Sequence, residues 1–117
     1  MIQSLTFVDT SALPRVKTPE GEVTEILNER LEGAKNVFGT LRWLANGETF
    51  HAAPIEKHQL IYFMEGQGTV GLEGRDYEVA RGGGVYLGPA ESAVIRASGG
   101  GQLKLFHLIV PRIPAAT

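Results

Sequence analysis

The feature that most constrains the fold of this chain is a series of short β-forming runs that are separated by glycine-rich turns. The sequence has 15 glycines among 117 residues. Asn46-Gly47 is a strong hairpin signal, and the glycine triplets 82–84 and 99–101 mark further turns. Short strands with turn signals at intervals of about ten residues are typical of an all-β sandwich or barrel and not of a βαβ fold.

The alternation of apolar and polar residues predicts ten strands along the chain. Residues 9–19 contain two prolines and small polar residues, so we expect a loop there. Residues 22–27 also fit helical spacing, but the glycines at 21 and 33 bracket too short a segment for a helix, and we expect a strand. The predicted strands are residues 2–8, 22–27, 36–45, 48–53, 59–64, 69–72, 76–80, 85–87, 93–97 and 103–110.

The composition is that of an ordinary soluble globular domain. A chain of 117 residues can bury one core but is too short for two domains of ordinary size. With 43% hydrophobic and 21% charged residues, the sequence is not that of a disordered chain. The net charge of -2 gives no broad attraction for nucleic acid or acidic membranes, so neither is an expected partner.

Two further features limit the chemistry and the location. The sequence has no cysteine, which excludes disulfides, thiolate metal sites and cysteine nucleophiles. The first residues have neither a basic leader nor an apolar run of signal-peptide length, and no stretch approaches the roughly 20 apolar residues of a membrane span. We therefore expect a cytoplasmic protein.

Two glycine-bounded spacings resemble the motifs of the cupin family, which are small jelly-roll barrels. The first family motif, G-x5-H-x-H-x3-E-x6-G, begins here at Gly47 and closes on Gly66 without a gap. Its two histidine positions and its glutamate position hold Ala53, Ile55 and Gln59. The glycine frame therefore matches while the ligand positions differ.

The second family motif, G-x5-P-x-G-x2-H-x3-N, begins at Gly83 and meets Pro89 in register. Glu91 stands at the position of its second glycine, Val94 at its histidine and Ser98 at its asparagine. The resemblance implies an all-β, single-domain cupin-like jelly-roll barrel with an N-terminal arm. We expect the segments 1–34 to supply the arm and first strands, 35–112 the barrel and 113–117 a tail. Barrels of this kind commonly pair through such an arm and one sheet face, so a homodimer is expected.

In metal-binding cupins the two histidines, the carboxylate and the later histidine hold one divalent cation inside the barrel. Here Ala53, Ile55 and Val94 have no donor atom, and Gln59 offers only a neutral amide oxygen. The resemblance therefore implies no metal at the usual position, and we expect no other cofactor. A largely apolar barrel pocket is expected in its place.

The candidate polar groups of this pocket follow from strand parity. If Ala53 and Ile55 face the interior as the resemblance implies, the period of two puts His51 on the same face and His58 on the opposite one. Gln59 should face inward as well.

The last predicted strand supplies a second histidine. Placing Lys104 outside leaves His107 facing inward. The resemblance puts this strand beside the one that carries Gln59, so the two side chains are expected to be neighbours.

Other residues complete the expected ligand-binding set. Arg42 or Trp43 lines the pocket, and the parity of their strand leaves the choice open. Tyr86 could add a hydroxyl group, although aromatic residues in strands usually serve packing. The remaining expected lining residues are Ile55, Ile61, Phe63 and Val94.

The leading hypothesis is a metal-free protein that binds a small, partly apolar organic molecule, such as a carboxylate, in the barrel. Two imidazoles can serve as acid and base near neutral pH, which makes His51 and His107 the candidate catalytic residues. One alternative is a metal-dependent dioxygenase, isomerase or lyase with displaced ligands, which could be His51, Gln59 and His107. Another is a metal-free epimerase, isomerase or cyclase that uses His51 or His107 as base. The sequence leaves open whether the protein is an enzyme.

Overall fold

The computed structural model describes residues 9–28 and 37–111 of the chain. Over these residues it consists of β-strands and one 3₁₀ turn, Thr10–Ala12. No helix in this part of the chain is long and apolar enough to cross a membrane. The strands are β1 (Val16–Thr18), β2 (Gly21–Leu27), β3 (Phe38–Leu44), β4 (Thr49–Ala52), β5 (Lys57–Glu65), β6 (Gln67–Leu72), β7 (Arg75–Ala80), β8 (Gly84–Leu87), β9 (Ala93–Ser98) and β10 (Leu103–Pro111).

The strands form two antiparallel sheets that pack face to face as a jelly roll. The larger sheet has six strands in the order β1-β2-β3-β10-β5-β8, and the smaller sheet has four in the order β4-β9-β6-β7. From β3 onward the chain passes repeatedly from one sheet to the other, so that residues distant in sequence become neighbours. This arrangement confirms the predicted all-β, cupin-like fold class.

The space between the sheets is filled with apolar side chains. Successive side chains in a strand point to opposite faces, so every second residue of the central strands reaches this space. Ile61, Phe63 and Leu105 of the larger sheet and Val70 and Ile95 of the smaller sheet are completely buried there. The predicted inward orientation of Ile61 and Phe63 is confirmed, but they belong to a packed core and not to an open pocket.

Nine of the predicted strands correspond to observed strands, and the predicted loop over residues 9–19 is wrong in part. This segment contains the 3₁₀ turn and strand β1, which pairs with β2 and joins the larger sheet. The hairpin between β1 and β2 is closed by the Thr18 hydroxyl, which accepts the N–H of Glu20 and donates to the carbonyl of Gly21. The prolines therefore flank a short edge strand. The predicted strand 2–8 and the tail 113–117 lie outside the described residues.

The connection between β8 and β9 contains a turn with an unusual residue. The N–H of Glu91 donates to the carbonyl of Gly88 across this turn. Pro89 occupies the second position, and Ala90 in the third position has a φ of 70°. A proline followed by a residue with positive φ is the pattern of a type II turn, in which the third position favours glycine. The positive φ thus falls one residue before Glu91, the position expected to match the motif glycine.

Replacing Ala90 with glycine should stabilise the protein. The substitution A90G removes the clash of a β-carbon in the left-handed region, and we expect the free energy of unfolding to rise by about 0.5–1 kcal/mol. Urea unfolding measures this change. Ala80→Gly, on the exposed face of β7, is the matched control and should lower stability by about 0.5–1 kcal/mol. Equal destabilisation by both substitutions would show that the backbone at Ala90 does not favour glycine.

Candidate functional site

The three central strands of the larger sheet place polar side chains on its inward face. Strand β3 supplies Thr40 and Arg42, β10 supplies His107 and β5 supplies Gln59. The register between the strands pairs His107 with Thr40, and Ile109 with Gln59. Directly paired residues share a face of the sheet, so the three central strands bring these groups together.

His107 and Gln59 form a buried hydrogen-bonded pair. The side chains are 8% and 2% exposed, and His107 Nε2 lies 2.7 Å from Gln59 Oε1. Gln59 Nε2 donates to the carbonyl of Ala53 at 3.1 Å, which turns the amide oxygen toward the imidazole. Because this oxygen can only accept, Nε2 of His107 carries the proton. The prediction that these residues are inward-facing neighbours is confirmed.

Burial and a nearby cation keep His107 uncharged. Desolvation, with the positive charge of Arg42 as a second cause, lowers the pKa of His107 to about 4. At neutral pH the imidazole is therefore neutral. In the described part of the chain, no hydrogen bond reaches its Nδ1 atom.

Arg42 occupies the inward position that the sequence left open between Arg42 and Trp43. Its Cζ atom lies 3.8 Å from the centroid of the Phe50 ring, and its Nη1 donates to the carbonyl of Glu20 at 2.8 Å. Its Nε is buried without a partner among the described residues. Burial lowers the pKa of Arg42, and the charge of Glu20 opposes this shift. An arginine remains protonated under such conditions, so the site contains a fixed cation.

Trp43 lies on the outer face of the larger sheet and does not line the site. It is buried there because cationic side chains cover its ring. The Cζ atom of Arg15 is 3.7 Å from the ring centroid, and Nζ of Lys104 is 5.7 Å away. Apolar burial on both faces of β3 explains why the sequence pattern did not decide between Arg42 and Trp43.

Phe50 connects Arg42 to His107. Its ring comes from β4 of the smaller sheet and meets the imidazole of His107 edge-on, with centroids 5.4 Å apart and an interplanar angle of 65°. One face of the same ring contacts the guanidinium of Arg42. The aromatic ring therefore holds a neutral base and a cation near each other.

A cavity of about 540 Å³ borders Arg42. It lies against β1, β2 and β3, the part of the larger sheet that extends beyond the central strands. Its polar groups are Glu25, Thr40 and Arg42, and its remaining surface is apolar. The apolar lining residues are Leu13, Pro14, Val16 and Val23.

The predicted inward orientation of His51 is wrong. Phe50 and Ala52 occupy the inward positions of β4 and are buried, whereas the His51 side chain is 64% exposed. The His51 N–H donates to Glu20 Oε2 at 2.8 Å, and its Nδ1 lies 3.0 Å from the same oxygen. Partial burial acts to raise the pKa of Glu20, but the hydrogen bonds from His51 and the charge of Arg42 lower it overall. His51 thus holds the β1–β2 turn from outside.

The spacing of the cupin motifs also misplaced Ala53, Ile55 and Val94. Ala53 and Ile55 follow the end of β4, so strand parity does not carry to them. Val94 is 40% exposed and faces outward, between the buried Ala93 and Ile95.

Tyr86 also lies outside the pocket. It is exposed on the outer face of the larger sheet, where its hydroxyl lies 2.7 Å from Nδ1 of His58. The expected outward orientation of His58 is consistent with this contact. Ile55 is half-buried in the connection after β4, where its carbonyl accepts the N–H of Ala90.

The residues at the cupin metal position do not fit a divalent cation. Ala53, Ile55 and Val94 lack donor atoms, and both polar groups of the Gln59 amide are engaged by the protein. The displaced set of His51, Gln59 and His107 does not converge, because His51 points away from the interior. Within residues 9–28 and 37–111, no three His, Asp or Glu side chains are grouped so as to hold a metal ion.

Three members of the site were not predictable from sequence patterns. Glu20 lies in a turn, where no periodicity fixes the direction of a side chain. Phe50 precedes His51 in β4, so the parity that placed His51 inside hid the inward position of Phe50. Thr40 is an ordinary strand residue whose position depends on the register with β10.

The depressed pKa of His107 should make the protein less stable in mild acid. Below pH 6.5 the unfolded chain binds a proton at His107, while the folded protein does not until about pH 4. The free energy of unfolding should therefore fall by about 3 kcal/mol as the pH drops through this window. H107Q, which keeps an amide donor for Gln59, should lose this component in urea unfolding at several pH values. An identical pH dependence in both proteins would show that burial does not lower the pKa of His107.

Comparisons with known proteins identify the fold. No protein-family model matches the sequence, and no match is found among curated proteins. A predicted oxalate decarboxylase from Thermotoga maritima superposes with a TM-score of 0.82 at 16% identity, over 92% of this chain and 100% of that protein. The polyketide cyclase RemF from Streptomyces resistomycificus gives a TM-score of 0.79 at 16% identity, over 95% and 82% of the two chains.

A third solved structure carries the fold name itself. An RmlC-like cupin from Shewanella frigidimarina gives a TM-score of 0.74 at 16% identity, over 97% of both chains. Superpositions of this quality establish the fold, but sequence identities this low leave the activity open. Together with the two antiparallel sheets and their strand order, these likenesses show that the chain has the cupin fold.

Proposed function

We propose that the protein binds a small, partly apolar organic acid in the cavity beside Arg42. The observation that carries this proposal is an incompletely hydrogen-bonded guanidinium at the edge of a cavity. In the described residues, Nη1 of Arg42 donates to the Glu20 carbonyl, and its buried Nε has no hydrogen-bond partner. A guanidinium pairs well with a carboxylate because its planar donors match the two oxygens.

The rest of the cavity suits the apolar part of such a ligand. A volume of about 540 Å³ falls within the usual range of small-molecule sites, roughly 300–1,000 Å³. Leu13, Val16 and Val23 offer apolar surface, and Thr40 offers a hydroxyl near the cation. These features favour a ligand with one anionic group and a hydrocarbon body.

Glu25 limits the charge that the ligand can carry. Among the described residues that line the cavity, it is the one acidic residue, and Arg42 is the one basic residue. A second carboxylate on the ligand would approach Glu25 without a matching cation. Monoanionic acids should therefore bind better than dianionic ones.

The structural neighbours are consistent with a small-molecule role. Two of them are named as a polyketide cyclase and a predicted oxalate decarboxylase, which shows that the fold serves proteins named for reactions of organic molecules. Among the alternatives considered for catalysis, a metal-free reaction at His107 is favoured over one at His51. His107 is inward-facing and neutral, whereas His51 faces away from the cavity.

Thermal shift measurements with matched small molecules test the proposal. We expect benzoate and butyrate to raise the melting temperature, and benzamide and butyramide to have little effect, because only the acids pair with Arg42. R42Q should weaken binding of the acids by at least about tenfold, as expected when a charged hydrogen bond worth roughly 1.5–3 kcal/mol is lost.

Arg81→Gln is the matched control, because Arg81 is exposed in the turn after β7. It should leave the response to the acids unchanged. Circular dichroism checks that R42Q is folded. Equal responses to acids and amides, or unchanged acid binding by folded R42Q, would refute the proposed role of Arg42.

A further inference from the structure

We propose that Gln59 is a positioning residue that fixes the tautomer of His107, so that Nδ1 is a hydrogen-bond acceptor for a hydroxyl group on the bound acid. The inference rests on the proposed binding site and narrows its ligand class to hydroxylated organic acids. Arg42 would pair with the carboxylate, and His107 would accept the hydroxyl hydrogen.

The Gln59 amide has a fixed orientation. The amide nitrogen donates to the carbonyl of Ala53 at 3.1 Å. Reversing the amide would place its oxygen against that carbonyl oxygen, and two acceptors cannot bond each other. Gln59 Oε1 is therefore directed at His107 Nε2, at a distance of 2.7 Å.

The orientation of Gln59 decides which nitrogen of the His107 imidazole carries the proton. A neutral imidazole has one N–H group and one acceptor nitrogen. Because Gln59 Oε1 requires a donor, the proton resides on Nε2 and the lone pair on Nδ1. His107 is more than nine-tenths buried, and Nδ1 has no hydrogen-bond partner among the described residues. The free lone pair of Nδ1 can accept a hydrogen bond when a ligand supplies a donor.

Phe50 and Thr40 connect His107, which carries the acceptor nitrogen Nδ1, to the Arg42 cation. Phe50 contacts both Arg42 and His107 through one ring, and Thr40, which lines the cavity, is the direct cross-strand partner of His107. His107 is not among the described residues that line the cavity, so a ligand anchored at Arg42 would have to extend past Thr40 to reach the imidazole. One molecule that carries a carboxylate and a hydroxyl group can engage both residues.

Nitrogen-15 NMR of labelled protein tests the tautomer without any ligand. In the native protein at pH 7 we expect His107 to show a protonated Nε2 and an unprotonated Nδ1. Q59L removes the acceptor and should give exchange between the two tautomers, while Q59E restores an acceptor oxygen and should restore the protonated Nε2. Gln102→Leu, at an exposed position before β10, is the control and should leave the His107 signals unchanged. A protonated Nδ1 in the native protein, or identical signals in folded Q59L, would overturn the proposal.

Binding measurements test the acceptor role separately. We expect 3-hydroxybutyrate and 3-hydroxybenzoate to bind about tenfold more tightly than butyrate and benzoate, and Q59L to lose this preference, as expected for one added hydrogen bond. If the acids bind but the hydroxyl group has no effect, the inference fails while the proposed function stands. If none of the four acids binds, the proposed function fails, and with it the narrowed ligand class.

Discussion

The burial of the Arg42 cation is the constraint on which the site depends. A charge on the inward face of a sheet is unfavourable unless other groups compensate for lost hydration. Here the Glu20 carbonyl and the face of Phe50 supply that compensation. Together with burial, the same charge keeps His107 neutral. Glu20, Phe50 and His107 are therefore all affected by one guanidinium.

The unequal size of the two sheets explains where the cavity lies. Six strands face four, and the closed part of the barrel is filled by apolar side chains. The hairpin of β1 and β2 extends the larger sheet and forms a wall beside Arg42. His51 and Glu20 hold the turn of this hairpin from the outer side. The fold thus keeps a cavity beside a core that is itself well packed.

Much of the fold could be predicted from the sequence, because strands are local and glycine marks their ends. The facing of Gln59 and His107 followed from strand parity and was confirmed. The same reasoning failed for His51 and Val94, since a shift of one residue moves a side chain to the opposite face. For His51 the parity was counted from Ala53 and Ile55, which lie beyond the end of β4. Glu20 was not predictable, because its role depends on contacts between a turn and a distant strand.

Mapping the binding of an organic acid by two-dimensional NMR tests the central claim most directly. During a titration with benzoate, we expect saturable shifts of the backbone signals of Val23, Thr40 and Arg42, which surround the proposed site. Shifts centred on Leu72 and Ser92, which line a separate cavity elsewhere on the barrel, or no saturable shifts at all, would contradict this claim.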